Sequence, residues 1–339
     1  MRKIIASILV ILAAIIGVSI YFSPEKSEVE KDNKKSQAFE KSKTEVVAQP
    51  ISWAKGVGTA QGAVVTSSYI VVDKNGDVIF SQNPDTKQSP ASLAKLMTAM
   101  VALDLANPTD LLTVHKEATL LEPTILRARE GEQFTIEELL TALLVYSAND
   151  AAEILAQEIG KKIGGDRTTF IDLMNEKSKR MNLSQTRFAN PSGFDDSQQY
   201  STARELSIIT QYALNNYSDI LKIIKIREIT FEKNSYHEEY KIVNWNSLID
   251  IYPGVIGVKI GHTDQAGHAT IIVSERENER MMSVLIGAPD RRARDLWTVD
   301  LLNSAFEQKG IGRFRVTRDM LIARSNEWSK ILYENQNDF

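Results

Sequence analysis

Serine and lysine stand three residues apart in Ser89-Pro90-Ala91-Ser92-Leu93-Ala94-Lys95-Leu96-Met97-Thr98-Ala99-Met100, at the head of an apolar, helix-forming run. Residues i and i+3 share a helix face, so a helix here brings the Ser92 hydroxyl to the Lys95 amine. A serine hydroxyl is a poor nucleophile until a base takes its proton, and a lysine serves as that base only when its pKa is lowered. Alone the spacing is weak, because an N-cap serine followed by a solvated helix lysine has the same pattern. Two later pieces add weight: Ser147-Ala148-Asn149 and Lys259-Ile260-Gly261. Each also has a bland reading, as a turn and cap and as an edge-strand charge. It is their joint occurrence that points to acyl-transfer chemistry.

Composition removes other chemistries. The 339 residues are 43% apolar, enough for a sizeable core. With 40 basic and 44 acidic residues the formal charge is −4, and no basic patch suggests nucleic acid as a partner. Cysteine is absent, which excludes disulfides, thiolate catalysis and Cys-based zinc sites. His115, His237, His262 and His268 show no His-x-x-x-His or Glu-x-x-His spacing, so a zinc hydrolase is not expected, and no metal or cofactor is.

Arg2 and Lys3 precede an uncharged stretch from Ile4 to Phe22. As a helix it would span about 28 Å, close to the hydrocarbon thickness of a bilayer. The basic flank keeps the N-terminus inside, so the body is exported. Residues 1–22 are expected to be a membrane anchor or a signal peptide. The best Ala-x-Ala-like site, Gly17-Val18-Ser19, is poor and favours the anchor. The expected location is a single-pass position at the cell membrane with the catalytic body outside, or secretion if the segment is cleaved. Residues 23–50 carry six basic and six acidic side chains among polar residues between Ser23 and Gln49, and read as a disordered charged linker.

The folded body is expected over 51–310. Ser67–Asp73 reads as a strand, Asn75-Gly76 as a hairpin turn and Val78–Ser81 as the returning strand. Helices are predicted over Ser92–Leu105, Thr135–Leu144 (Thr135 as cap, Glu138 three residues on), Ala151–Ile159 and Phe170–Met181. Ser201 is expected to cap a further helix. Asn190-Pro191-Ser192-Gly193 is loop chemistry. From Ile220 the pattern turns to strands, with Val255–Ile260, Thr270–Ser274 and Met282–Ile286 followed by a closing helix, Asp295–Phe306. Strands at both ends and helices between them predict an α+β fold: one mainly antiparallel sheet from N- and C-terminal strands, covered by helices on both faces. Residues 311–339 read as a short C-terminal appendix.

Five stretches in order carry a family likeness: Pro90–Thr98, Tyr146–Ala152, Thr186–Phe194, Tyr200–Ala203, and Gly257–Asp264 with Ala266-Gly267. From about Thr66 to Phe306 the chain resembles the D-alanyl-D-alanine carboxypeptidases, low-mass penicillin-binding proteins of the serine peptidase S11 family. The resemblance implies a β-lactamase/DD-peptidase-like fold. It also implies removal of the terminal D-alanine from peptidoglycan stem peptides through an acyl-serine, with β-lactams as covalent inhibitors. Ser92 would be the nucleophile, Lys95 its base, and Ser147 a proton relay toward the leaving amine. Asn149 would hold the substrate amide. Lys259 would place positive charge near the substrate carboxylate and help to lower the pKa of Lys95. The N–H groups of Ser92 and His262 would form the oxyanion hole. Arg294 falls where the family keeps a carboxylate-binding arginine, with Arg291 and Arg292 as rivals. The His262 side chain is read as structural, and His268 as a strand residue without a role.

The likeness breaks at one point. The family's Lys-Thr-Gly is Lys259-Ile260-Gly261 here. Isoleucine keeps the β-branching a strand favours but cannot donate the threonine's hydrogen bond to a carboxylate. Family members often continue into a β-domain and an amphipathic anchor, whereas little follows Gly310, so the N-terminal segment is expected to take over anchoring. The alternatives are a DD-endopeptidase of the same fold and a catalytically weakened wall-binding protein, for which Ile260 speaks. A class A β-lactamase would need a glutamate-activated water, and no Glu-x-x-Leu-Asn segment stands between Asn149 and Lys259.

Overall fold

The computed structural model describes residues 67–333, all within one compact unit. The expected anchor, the expected linker and the opening of the body, 51–66, lie outside the described residues. Among the described residues no helix is long and apolar enough to cross a membrane.

The chain opens with the expected hairpin, β1 (Ser68–Asp73) and β2 (Val78–Gln82). Gly76, at φ 89°, makes the turn, and the Asp73 carboxylate accepts from the N–H groups of Asn75 and Asp77. A 3-10 turn, Ala91–Ala94, leads into α1 (Lys95–Leu105). A two-stranded ribbon pairs β3 (Leu111–Thr113) with β4 (Gln133–Thr135). The helical half continues with α2 (Ile136–Thr141), a π-turn (Ala142–Tyr146), α3 (Asn149–Lys162), α4 (Arg167–Arg180), α5 (Ala203–Asn216) and α6 (Ser218–Ile223). A second ribbon follows, β5 (Glu228–Phe231) with β6 (Tyr240–Val243). Three long strands come next, β7 (Val255–Thr263), β8 (Gly267–Arg276) and β9 (Glu279–Ala288). Two helices close the described chain, α7 (Arg291–Glu307) and α8 (Arg318–Tyr333).

The main sheet is antiparallel throughout, in the order β2-β1-β9-β8-β7, so the N-terminal hairpin pairs with the last strand as expected. Alternation along the strands splits the core in two. Tyr69, Val71, Ile272 and Leu285 pack with Val299, Leu302, Ala305 and Phe306 of α7. On the other face α5 packs against β1 and β9, and the 3-10 turn against β7 and β8. Helix α1 is buried from Lys95 through Ala102, so it forms the interior of the helical half rather than an amphipathic cover.

Several boundaries depart from the sequence reading. Ser92 lies in the 3-10 turn and the α-helix begins only at Lys95, because Ala91 adopts a left-handed φ of 47°. The Thr135–Glu138 capping box is present, but its helix gives way after Thr141 to the π-turn. Thr202, not Ser201, caps α5; the Ser201 hydroxyl instead meets Thr186 Oγ1 at 2.8 Å. The chain is still helical at Ile220, within α6. The C-terminal segment is more than an appendix: α8 seats Trp328, only 1% exposed, in the body.

Candidate active site

Lys95 lies on the first turn of α1 and is fully buried. Its Nζ lies 2.9 Å from Ser92 Oγ, 2.7 Å from Asn149 Oδ1 and 2.6 Å from the Ser192 carbonyl oxygen. Asn149 Nδ2 donates to the Pro123 carbonyl, which fixes the amide orientation and leaves Oδ1 as the acceptor facing Lys95. Two of the amine's three neighbours can therefore only accept. A neutral amine spends its two hydrogens on them and turns its lone pair to the Ser92 hydroxyl. Burial pushes the Lys95 amine well below the ordinary lysine range, the charge of Lys259 pushes it further, and Asp150 partly opposes them.

Asp150 is itself buried, and burial raises its pKa against the pull of its hydrogen bonds. Its carboxylate accepts from the N–H groups of Leu126, Arg127 and Ala151. This locks the 124–127 loop, whose Thr124 carbonyl in turn receives Asn149 N–H at 2.9 Å. Ser147 follows the π-turn in the left-handed region (φ 70°, ψ 28°), and Ala148 N–H closes the turn onto the Ala142 carbonyl at 3.0 Å. The turn thus carries Ser147 out of the helix two residues before Asn149. Single π-turns inside helical segments are frequent at functional sites.

The third wall is the loop Asn190–Phe194, which sequence reasoning left without a role. Asn190 Oδ1 accepts from Gly193 N–H (2.8 Å) and Phe194 N–H (3.0 Å), and this bend turns the Ser192 carbonyl toward Lys95. Gly193, at φ 90°, lies so close to Ala91 that a Cβ would fall 1.9 Å from the Ala91 carbonyl oxygen. The same contact holds Ala91 in its left-handed conformation beside Ser92. Thr98 Oγ1 donates to the Pro191 carbonyl at 2.7 Å and ties the loop to α1. The Asn-Pro-Ser-Gly string was the available signal, but it shows a bend and not which carbonyl the bend aims.

The fourth wall is β7. Gly261 runs against Ser92, and a Cβ there would lie 2.9 Å from Ser92 N. Asp195 bridges the two segments: it accepts from Ser89 Oγ at 2.7 Å and from Gln265 N–H at 3.0 Å, just past β7. Lys259 is 2% exposed and donates to the Ile260 carbonyl at 3.0 Å. Burial and the nearby Arg294 lower its pKa to about 7. Arg294, at the start of α7, is equally buried and pairs with Asp295 at 2.7 Å. Arg291 and Arg292 are exposed. Exposed His262 stacks on its cross-strand partner His268 at 4.0 Å, and burial, His262 and Arg294 hold the His268 pKa down at about 4. Ile260 is partly exposed on the strand. Ser92, Lys95 and Asn149 are thus joined by direct contacts, whereas Lys259 couples to Lys95, and Arg294 to Lys259, through charge.

This arrangement can activate a serine without a metal ligand set, and among the described residues no three His, Asp or Glu side chains are grouped to hold a metal. The family profile of peptidase S11, D-alanyl-D-alanine carboxypeptidase, matches residues 55–290. The chain is 28% identical over 267 residues to D-alanyl-D-alanine carboxypeptidase DacF of Bacillus subtilis, covering 76% of this chain and 67% of that protein. It is 29% identical over 291 residues to DacA of Haemophilus influenzae, covering 83% and 70%. Its fold superposes on penicillin binding protein 5 from Haemophilus influenzae with a TM-score of 0.65 at 30% identity, over 74% of this chain and 73% of that one. The Streptomyces K15 DD-transpeptidase gives a TM-score of 0.67 at 25% identity, over 74% of this chain and all of that one. The chain is a member of the S11 family of serine D-alanyl-D-alanine carboxypeptidases.

Proposed function

We propose that the protein is an extracytoplasmic serine DD-carboxypeptidase, held at the membrane by residues 4–22, that removes the terminal D-alanine of peptidoglycan stem peptides through an acyl-serine. The observation that carries the reading is the three-way contact of the buried Lys95 amine with Ser92, Asn149 and the Ser192 carbonyl. The lone pair of Lys95 takes the hydroxyl proton as Ser92 Oγ bonds to the carbonyl carbon of the penultimate D-alanine. The N–H groups of Ser92 and His262 receive the oxyanion, an interaction worth about 2.7–4 kcal/mol per donor. Ser147 relays to the departing D-alanine nitrogen the proton that Lys95 took from Ser92, the C–N bond breaks, the acyl-serine remains, and Lys95 is neutral again. Water, deprotonated by Lys95, then releases the shortened peptide and restores Ser92. Asn149 holds the substrate amide, while Lys259 and Arg294 attract the terminal carboxylate. β-Lactams would acylate the same serine.

Ile260 favours a second reading, a catalytically weakened wall-binding protein; a DD-endopeptidase of the same fold would use the same serine chemistry on cross-links. The test is D-alanine release from a muramyl pentapeptide by the full chain in detergent, with Ser92→Ala as control. Serine-dependent release is expected. Its absence, together with cleavage of cross-linked dimers, would favour the endopeptidase; absence of both would leave a wall-binding protein.

A further inference from the structure

Three aromatic rings run in series from the segment bearing Ser147 to the C-terminal helix. Tyr146, the residue before Ser147, lies 5.6 Å from Trp245 between ring centroids, tilted by 40°. Trp245 meets Trp328 of α8 edge-on at 5.5 Å and 73°. Both indole N–H groups are buried without an acceptor among the described residues, and the two rings meet through their faces and edges.

Each ring sits on a braced support. Trp245 leaves β6 between two asparagines: Asn244 Nδ2 donates to the Ile226 carbonyl at 2.9 Å, and Asn246 Oδ1 accepts from Leu248 N–H at 3.1 Å. Helix α8 is tied to the body by the pair of Glu327 with Arg227, and within the helix Arg324 pairs with Glu327 at 2.6 Å. The Arg324 guanidinium lies 5.5 Å over the Trp328 ring. At the other end Tyr146 closes the π-turn, and Ser147 follows in a left-handed conformation that is strained for a non-glycine residue. Such a conformation persists only when its surroundings over-determine it.

The geometry points to α8 as a positioning element for Ser147, acting through Trp328, Trp245 and Tyr146. Helix α8 lies beyond residues 55–290, so this is a feature of the chain outside the family match. The inference rests on the proposed role of Ser147 as the group that protonates the leaving amine. Removing the Trp328 ring opens a space into which Trp245 relaxes. Tyr146 then loses its stop, and the next hydroxyl in the chain shifts from the leaving nitrogen. A misplacement of about 1 Å can cost up to about 100-fold in rate.

The test compares two leaving groups in the full chain. An amide substrate ending in D-Ala-D-Ala must have its leaving nitrogen protonated, whereas a thiolester releases a thiolate that needs no proton. Trp328→Ala is expected to lower kcat/KM per folded molecule about tenfold on the amide and less than about twofold on the thiolester. Trp328→Phe should restore most of the loss, and in a Ser147→Ala background Trp328→Ala should cost nothing further on the amide. Equal losses on both substrates, or an unchanged amide rate, would overturn the inference. Should Trp328→Ala fail to fold, Trp328→Leu carries the same comparison with the apolar bulk retained. Failure of the unaltered chain to turn over either substrate would overturn the enzymatic reading, and this inference with it.

Discussion

Around Lys95 the contacts are short, direct and shared: one amine meets a hydroxyl, a side-chain amide and a backbone carbonyl within 2.9 Å. Along β7 the polar groups act at a distance. Among the described residues Lys259 donates to the carbonyl of the next residue alone, Arg294 is engaged by Asp295, and the position between Lys259 and Gly261 is an isoleucine. The first region is the one that would make and break bonds; the second is the one that would recognise the substrate's terminal carboxylate. A substitution that leaves the first region whole and removes a donor from the second separates chemistry from recognition. Reactivity of Ser92 toward an activated acyl donor and turnover of a D-Ala-D-Ala peptide should therefore respond to different residues.

The largest expected effect lies in the first region. Lys95→Met removes the general base and leaves Asn149 Oδ1 and the Ser192 carbonyl facing an apolar group. Acylation of Ser92 should fall by about 10²–10⁴-fold, measured with a fluorescent penicillin under single-turnover conditions. Activity within tenfold of the unaltered chain would break the comparison at its stronger side. In the second region Ile260→Thr should raise kcat/KM on a D-Ala-D-Ala peptide. A hydrogen bond to a charged acceptor contributes about 1.5–3 kcal/mol, or about 10- to 150-fold. The rate with a thiolester lacking the terminal carboxylate should stay within about twofold, because the restored hydroxyl then has no charged acceptor to meet. An unchanged peptide rate would mean that the strand recognises its substrate by other groups.

The smallest effect is in the pH profile, where the two lysines separate again. Lys95 must be neutral to act and is depressed well below the lysine range, so activity rises with pH through its pKa. Lys259 must be charged to attract a carboxylate and titrates at about 7, so kcat/KM on the peptide should fall as pH rises through that value. The profile of kcat/KM reports the free enzyme, so this limb should lie near neutrality for the peptide and be absent for a substrate without a carboxylate. A plateau to pH 9 with the peptide would show that the charge of Lys259 is not used in recognition.

The side chains gathered at the Lys95 amine were legible in the sequence; the backbone carbonyl that completes the cluster was not. Ser92 and Lys95 stand out by type and spacing and Asn149 through the family resemblance, and the structure brings all three into contact. The Ser192 carbonyl has no side-chain signature, and its direction depends on Asn190 accepting two N–H bonds from residues downstream. Nor does alanine signal the left-handed conformation of Ala91, which holds because Gly193 admits the Ala91 carbonyl at close range. That contact starts α1 three residues later than the apolar pattern alone implies. The sheet was readable from its long apolar strands, and the pairing of β1 with β9 from their positions at the two ends. Helix α8 escaped because its charged residues are dispersed among the apolar ones, and the burial of Leu321, Arg324 and Trp328 reveals the face it packs. Ser201 and Thr202 offer equal caps in sequence; the Thr186 hydroxyl engages the first and leaves the second for Glu205 N–H.

The central claim is that Ser92, activated by Lys95, is the nucleophile and remains competent despite Ile260. Incubation of the full chain with benzylpenicillin, followed by intact-mass measurement and peptide mapping, tests it most directly. One adduct per chain is expected, located on the peptide containing Ser92 and absent from Ser92→Ala and Lys95→Met. An unmodified chain, or an adduct at any other residue, would contradict it.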